Sequence, residues 1–369
     1  MKLGEIFRLQ IFDRYILKKY ISTFIFTLSI LSLIAVVFDI SERIQKFISK
    51  NVAAKEIIQD YYFNFLPWIN SLLFPLYSLI TVIFFTSRLA EKTEIIPVFS
   101  SGMSYKRFLK PFVIASIIFT LLHLFLNHYW VPKGNKTMGA FENKYIKTSS
   151  LIRKDRNAHF IVQPGVEVYI SAYNSFDSSG TGFHLSHTEN SQLKSILRAN
   201  QFKYDSLSQK WKLKDYEIRS WSEDKEAFEL YSGKSLDTNL NLKVSDFIQF
   251  KNNKNMMQTG ELSEFIEREI GKGSGITREY IVEKHRRTAD PVTTLILSII
   301  GVCIASRKVR GGLGLHLASG VIIGVIFIFL SKLSLTFANS EMINPIIAIW
   351  SPNIIFSFLA FRLYKSAQQ

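Results

Sequence analysis

The distribution of ionisable residues restricts this chain more than any other feature. Six stretches contain no Asp, Glu, Lys or Arg: Tyr20–Phe38, Tyr61–Ser87, Pro111–Pro132, Pro291–Ser306, Gly311–Ser331 and Met342–Phe361. A helix needs about 20 such residues to cross roughly 30 Å of hydrocarbon. Five stretches suffice as they stand, and the fourth does so if its helix begins upstream near Thr288. The first is followed by no small-residue cleavage site and reads as a retained helix rather than a signal peptide. The pattern excludes an ordinary soluble enzyme and predicts a polytopic α-helical membrane protein with six spans.

A net charge of +15 invites a nucleic-acid reading, so its placement matters. Six crossings put both termini on one side, together with the loops 88–110 and 307–310. That side carries 15 Lys and Arg against only Glu5, Asp13, Glu91 and Glu94. The short loops opposite, 39–60 and 332–341, hold five basic and five acidic residues. The positive-inside rule places the termini in the cytoplasm, and the long insert Lys133–Asp290 outside. Topology thus accounts for the basicity, and no nucleic-acid partner is expected. The single cysteine, Cys303, excludes an internal disulfide and any Cys-cluster metal site.

The insert alternates with period 2, as half-buried strands do. Val166, Val168 and Ile170 form one such set, and Leu240, Leu242 and Val244 another. Trp211 and Leu213 continue as Tyr216 and Ile218 after a one-residue slip near Asp215, which predicts a turn or bulge. Polar turns at Ser178–Gly180 and Asp205–Ser206 separate the runs, so the insert is expected to be an antiparallel sandwich or jelly roll. Helices are expected over 133–150 and 261–270, with a flexible joint at Gly271–Gly275. Three domains result: 1–132 with spans 1–3, 133–275 as the exported jelly-roll-like domain with its flanking helices, and 276–369 with spans 4–6. His159, His184 and His187 read as exposed, non-liganding residues. Gly271-Lys272-Gly273-Ser274 lacks the upstream glycine of a phosphate-binding loop and reads as a linker. No catalytic residue, metal site or cofactor is expected.

The spans themselves are poor in charge, whereas ion-coupled carriers place carboxylates mid-membrane. Asp290 and Lys332 sit only at span ends, Lys332 either snorkelling to the interface or meeting an anionic head group. His123 and Asn127 share a face of span 3, where interhelical hydrogen bonds are expected. Gly320 and Gly324 form Gly-x-x-x-Gly in span 5 and predict a close helix contact. In the loop 88–110, charged residues adjoin the apolar set Ile95, Ile96, Val98 and Phe99, with a turn next at Ser101-Gly102. A helix lying along the membrane would look like this, and so would one that docks on a soluble partner. No cytoplasmic segment exceeds about 25 residues, too few for a nucleotide-hydrolysing domain. A partner would have to supply ATP hydrolysis.

Ordered motifs around these spans carry a resemblance. They are Asp13-Arg14-Tyr15-Ile16, Glu94-Ile95-Ile96 through Ser101-Gly102-Met103-Ser104, and Trp130-Val131-Pro132. Beyond them in the chain come Glu261-Leu262, Arg287-Thr288-Ala289-Asp290-Pro291 and Arg310-Gly311-Gly312-Leu313-Gly314-Leu315. In this order the chain resembles the LptF/LptG permeases of the lipopolysaccharide exporter over essentially its whole length. Its opening and its Trp-Val-Pro element look more like LptG. The resemblance implies a non-catalytic inner-membrane subunit of an ABC transporter, paired with an LptF-like paralogue and served by a dimeric LptB-like ATPase. It further implies LptC, in systems that have it, and an LptA-like periplasmic bridge.

For this chain the resemblance implies an ATPase-coupling set of Glu94, Ile95, Ile96, Phe99, Gly102 and Met103. Pro97 departs from the family pattern and is expected to shorten or kink that helix. A lateral gate or helix contact is implied at Gly320, Gly324 and Lys332. A lipid groove is implied among Val166, Val168, Ile170, Leu240, Leu242 and Val244. Two rival classes remain: a membrane scaffold or sensor with an outer binding domain, against which the coupling-type loop argues, and a secondary transporter, disfavoured by the lack of mid-membrane carboxylates.

Overall fold

The computed structural model describes residues 10–146, 151–153, 156–174, 177–190, 192–222, 225–240, 242–250, 253–273, 277–307, 312–340 and 342–367. The chain forms two compact units. One comprises 1–146, 254–260 and 278–369; the other comprises 147–253 and 261–277.

The first unit is helical. Span 1 is α1 (Ile11–Ser49) and span 2 contains α2 (Phe63–Glu91). The short α3 (Ile95–Ser100) leads into span 3, made of α4 (Tyr105–Phe125) and α5 (Val131–Tyr145). After α6 (Thr259–Gly271), most of which belongs to the second unit, come α7 (Thr277–Ala305), α8 (Gly312–Asn339) and α9 (Pro345–Ala367), which are spans 4, 5 and 6. Among the described residues, six helices are long and apolar enough to cross a membrane. Hydrocarbon offers the backbone no hydrogen bonds, so the apolar stretches satisfy it internally as helix. Single π turns interrupt spans 2 and 3 at Ile57–Tyr62 and Leu126–Trp130.

Span 4 begins at Thr277, eleven residues upstream of the Thr288 that its length required. Its first turns are charged, yet the charges are used within the unit. Buried Arg287 reaches Glu283 at 3.1 Å and donates to the backbone oxygens of Met257 at 2.9 Å and Lys254 at 2.8 Å. A search for uncharged residues stops where the helix continues on paired charge.

The second unit carries the expected all-β insert as six antiparallel strands. They are β2 (Arg156–Gln163), β3 (Val166–Asn174), β4 (Ser179–Glu189), β5 (Gln192–Asp205), β6 (Lys210–Ser222) and β7 (Lys225–Thr238), paired in sequential order. The short β1 (Leu151–Arg153) and β8 (Ile248–Phe250) pair separately. The slip at Asp215 is a bulge: the register with β7 shifts between Lys214 and Tyr216, and Asp215 has φ +53°. Its Oδ1 accepts the Gly233 N–H at 2.7 Å, which holds the bulge in place.

One correction concerns Leu240, Leu242 and Val244. They lie beyond β7, in irregular chain and a 3₁₀ turn (Val244–Asp246), not on a strand. The physical reason is visible at Trp211, whose Nε1 donates to the Leu242 oxygen at 2.9 Å. That backbone serves a buried indole instead of a sheet ladder. Trp211 is 1% exposed among Tyr173, Phe202, Tyr204 and Phe247.

Emptying that site should be costly. Trp211→Ala is expected to destabilise the insert by about 3–5 kcal/mol. Lys214→Ala, on the exposed face of the same strand, should change it by less than about 0.5 kcal/mol. Thermal loss of the β-sheet signal in the full-length purified protein measures both, and similar melting of the two variants would refute the assignment of Trp211 to the centre of this core.

Candidate functional site

The loop after span 2 is built from three local devices. α2 ends where Lys92 N–H returns to the Arg88 oxygen, and Thr93, at φ +59°, reverses the chain. The six-residue α3 then starts at Ile95. Pro97 is its third residue, inside the first turn, where helix N–H groups lack intrahelical acceptors and a missing donor costs nothing. Pro97 is accommodated there, in a helix of six residues. Gly102 takes φ +82°, with open space around its Cα, and Gly102 N–H returns to the Phe99 oxygen at 3.0 Å. Ser104 then serves as the N-cap of α4.

Less than two helical turns cannot present a continuous ridge, and the apolar set divides. Ile95 is 4% exposed within the helical core, and its i+4 neighbour Phe99 packs on that core with Val98 and Met103. Ile96 is 51% exposed, and Glu94, Pro97 and Gly102 are exposed beside it. Ile95 and Phe99 thus anchor the segment, while Glu94 and Ile96 are its outward groups.

A set of contacts that sequence patterns do not single out joins this segment to the start of α1. Asp13, fully buried, accepts from Arg107 Nη1 at 2.6 Å and Nη2 at 2.8 Å. The same guanidinium reaches Gln10 Oε1 at 2.8 Å, and Asp13 also accepts the Gln10 N–H at 2.9 Å. Tyr15 donates to Glu94 at 3.3 Å. Phe12 packs on Phe108 with ring centres 6.1 Å apart, and Phe108 on Phe99 at 5.2 Å. Asp13 and Arg107 are 94 positions apart, and no periodicity links them. Their only trace in the sequence is a carboxylate near the N-terminus and one cation among several in the loop 88–110.

Within the spans, the expected interhelical hydrogen bonds are present. His123 Nδ1 lies 3.1 Å from Thr294 Oγ1 and its ring stacks on Phe74. Asn127 bonds Ser71 and reaches the Arg287 oxygen at 3.4 Å. Gly320 and Gly324 face span 2 of this same chain. A Cβ on Gly320 would stand 2.3 Å from Ile83 Cδ1, and one on Gly324 3.1 Å from Leu76 Cδ2. Lys332 is exposed, at the edge of a cavity of 310 Å³ that Leu76, Arg286, Asp290, Phe327 and Asn353 also line.

In the insert, Val168, Ile170 and Leu242 are buried in the aromatic core, with Leu240 and Val244 packed against it and Val166 half-buried. Three groove candidates are therefore sealed and three lie less deeply. His159 and His184 flank Tyr169 in ring contacts, and burial holds the His184 imidazole below its ordinary pKa, with help from Arg198. No cluster of metal-ligating side chains occurs among the described residues. Lys272, from the glycine-rich stretch, is buried with its Nζ 2.9 Å from Glu269, so its charge is spent inside the unit. Ser274 and Gly275 of the expected joint lie outside the described residues.

The glycine geometry yields a test. Gly320→Leu should collide with Ile83 and destabilise the helical unit by about 1–3 kcal/mol. Adding Ile83→Ala should recover at least half of that loss, read by thermal unfolding in detergent. A destabilised Gly320→Leu protein that gains nothing from Ile83→Ala would overturn the intrachain assignment.

A search of curated proteins finds no match to the chain. The family model described as lipopolysaccharide export system permease LptF/LptG matches residues 14–366. That range takes in all six apolar helices apart from the first residues of α1 and the last of α9, together with the β insert and the segment pinned by Asp13 and Arg107. The chain belongs to the LptF/LptG family of lipopolysaccharide export permeases.

Proposed function

We propose that this chain is the LptG-like permease subunit of an ATP-driven exporter. It takes lipopolysaccharide from the outer leaflet of the inner membrane and passes it to a periplasmic bridge. In this reading it pairs with an LptF-like paralogue and is driven by a dimeric LptB-like ATPase, with LptC where a system has it. The observation that carries the reading is the anchored α3, whose Glu94 and Ile96 face outward on the side rich in Lys and Arg. The charge bias supports cytoplasmic termini and an exported insert. The loops between spans on the cytoplasmic side are too short for a nucleotide-hydrolysing domain, so ATP hydrolysis belongs to a partner.

The bundle suits a partner of the same kind. The middle of α1 exposes Ile25, Phe26 and Leu33, and α8 exposes Val325 and Phe329. Apolar faces of this extent are at ease in lipid or against another helix, and a gate between two permeases needs surfaces that can exchange one for the other. No reacting group is required. Moving an amphipathic lipid needs apolar contact surface, at about 25 cal/mol per Å² of area buried, and a stroke supplied from outside.

Two measurements test the proposal. Ile96→Asp and Glu94→Ala should each weaken capture of the ATPase about tenfold, the size of a single interface hot spot, while the chain still inserts. Ile95→Asp should instead destabilise the bundle. Unaltered capture and export in both of the first two variants would sink the docking assignment. In the insert, a photo-crosslinking residue at Val166, Leu240 and Val244 should give ATP-dependent adducts with lipopolysaccharide, whereas Val168 and Ile170, deep in the core, should not. An absence of adducts at all three less deeply placed positions would remove this insert from the lipid path.

A further inference from the structure

The contacts between α1 and the loop after span 2 are of two physical kinds. Phe99, Phe108 and Phe12 form a chain of rings, which resists compression but can slide. The Asp13–Arg107 pair cannot. A guanidinium fork on a carboxylate fixes two distances and a plane, here 2.6 and 2.8 Å. Asp13 is fully buried while Arg107 is a quarter exposed, so parting them leaves the carboxylate without solvent or a cation. Gln10 closes the site by bonding both partners, to Asp13 through its N–H and to Arg107 through its side chain. Arg107 stands two residues into α4 and three beyond the Ser104 cap, so it moves with the turn that ends α3.

Beyond this end, α1 is held firmly once more. Asp39 accepts from Tyr61 at 3.0 Å, Tyr62 at 3.2 Å and Arg43 at 2.9 Å, and Arg43 extends to Glu142 at 3.1 Å. Tyr61 and Tyr62 lie on the π turn of span 2, which sets both hydroxyls on one carboxylate. Span 1 is thus an ionically pinned strut whose middle carries the exposed apolar face. A displacement applied to α3 meets a fixed joint at Asp13 and a second one at Asp39.

We infer that Asp13 is a positioning residue for energy coupling: its fork with Arg107 makes span 1 move with the α3 segment. The inference rests on the ABC-exporter reading, in which a partner ATPase moves that segment. Asp13 acts through Arg107, and its effect is on how much of the hydrolysis becomes transport.

The test uses the full complex in proteoliposomes, with ATP hydrolysis and lipopolysaccharide export measured together. Asp13→Asn should leave ATPase capture and hydrolysis within twofold and lower export per ATP at least tenfold. The exchange Asp13→Arg with Arg107→Asp should restore at least a third of that ratio, which loss of folding alone would not allow. Should Asp13→Asn fail to insert, Arg107→Lys keeps the charge but loses the fork and should lower the ratio by an intermediate amount. Spin labels at Lys18 and Ser100 give a readout that needs no ATPase: a narrow distance distribution that broadens in the variant. An unchanged ratio and an unchanged distribution would overturn the inference. Failure of the unmodified chain to capture any ATPase, with the distance change still present, would count against the exporter reading and leave the joint standing.

Discussion

Hydrocarbon cannot hydrogen-bond, so a polar group carried into a membrane span gains by finding a partner on its own helix or a neighbouring one. Several side chains of this bundle do so in matched pairs at helix crossings. Tyr20 of span 1 bonds Ser78 of span 2 and Ser298 of span 4, which lie 2.6 Å from each other. Thr293 of span 4 meets Asn353 of span 6 at 2.6 Å, and that amide returns to the Ala289 oxygen. His123 and Asn127 do the same for span 3. Between lipid-soluble helices apolar contact confers little preference, because lipid is equally apolar. The pairs supply the register, and around them phenylalanines and small residues fill the remaining space.

The same rule explains which parts of the fold are legible in the sequence. Six spans can be read because charge is excluded from a membrane-facing run and the chain leaves long gaps in its Asp, Glu, Lys and Arg. The uncharged run alone does not show where span 4 starts, because Glu283 and Arg287 pair inside the helix. Alternation exposes Val166–Ile170 as a strand and even the bulge at Asp215, since a period of two registers any slip at once. It misleads at Leu240, Leu242 and Val244, where irregular chain shows the same alternation and the Leu242 carbonyl serves Trp211.

Contacts between distant positions are the least legible of all. Asp13 looks like a charge in an N-terminal motif, and Arg107 like one more cation on a basic side. Only the fold brings them to 2.6 Å. Gly320 and Gly324 show the converse. Their spacing announces a close approach, and the approach is real, but spacing cannot say whether the approaching helix belongs to the same chain. Here Ile83 and Leu76 of span 2 occupy that face.

These limits bear on how the two ends of the bundle differ. At the end that carries α3, the pinned segment is short and presents a carboxylate, an isoleucine and a turn. At the other end, Asp39, Arg43, Glu142 and two tyrosines form a larger network around a π turn. A π turn adds a residue to the helix and rotates the turns beyond it, so Tyr61 and Tyr62 can both reach one carboxylate where an α-helical register would turn them further apart. Such an arrangement trades helical regularity for fixed orientation. Between its ends, span 1 is tied by Tyr20 to Ser78 and Ser298 and by Ser32 to Asn70, and the ends add ionic joints to these bonds. An ionic joint at each end leaves the exposed face of α1 free to meet lipid or a second permease without losing its angle.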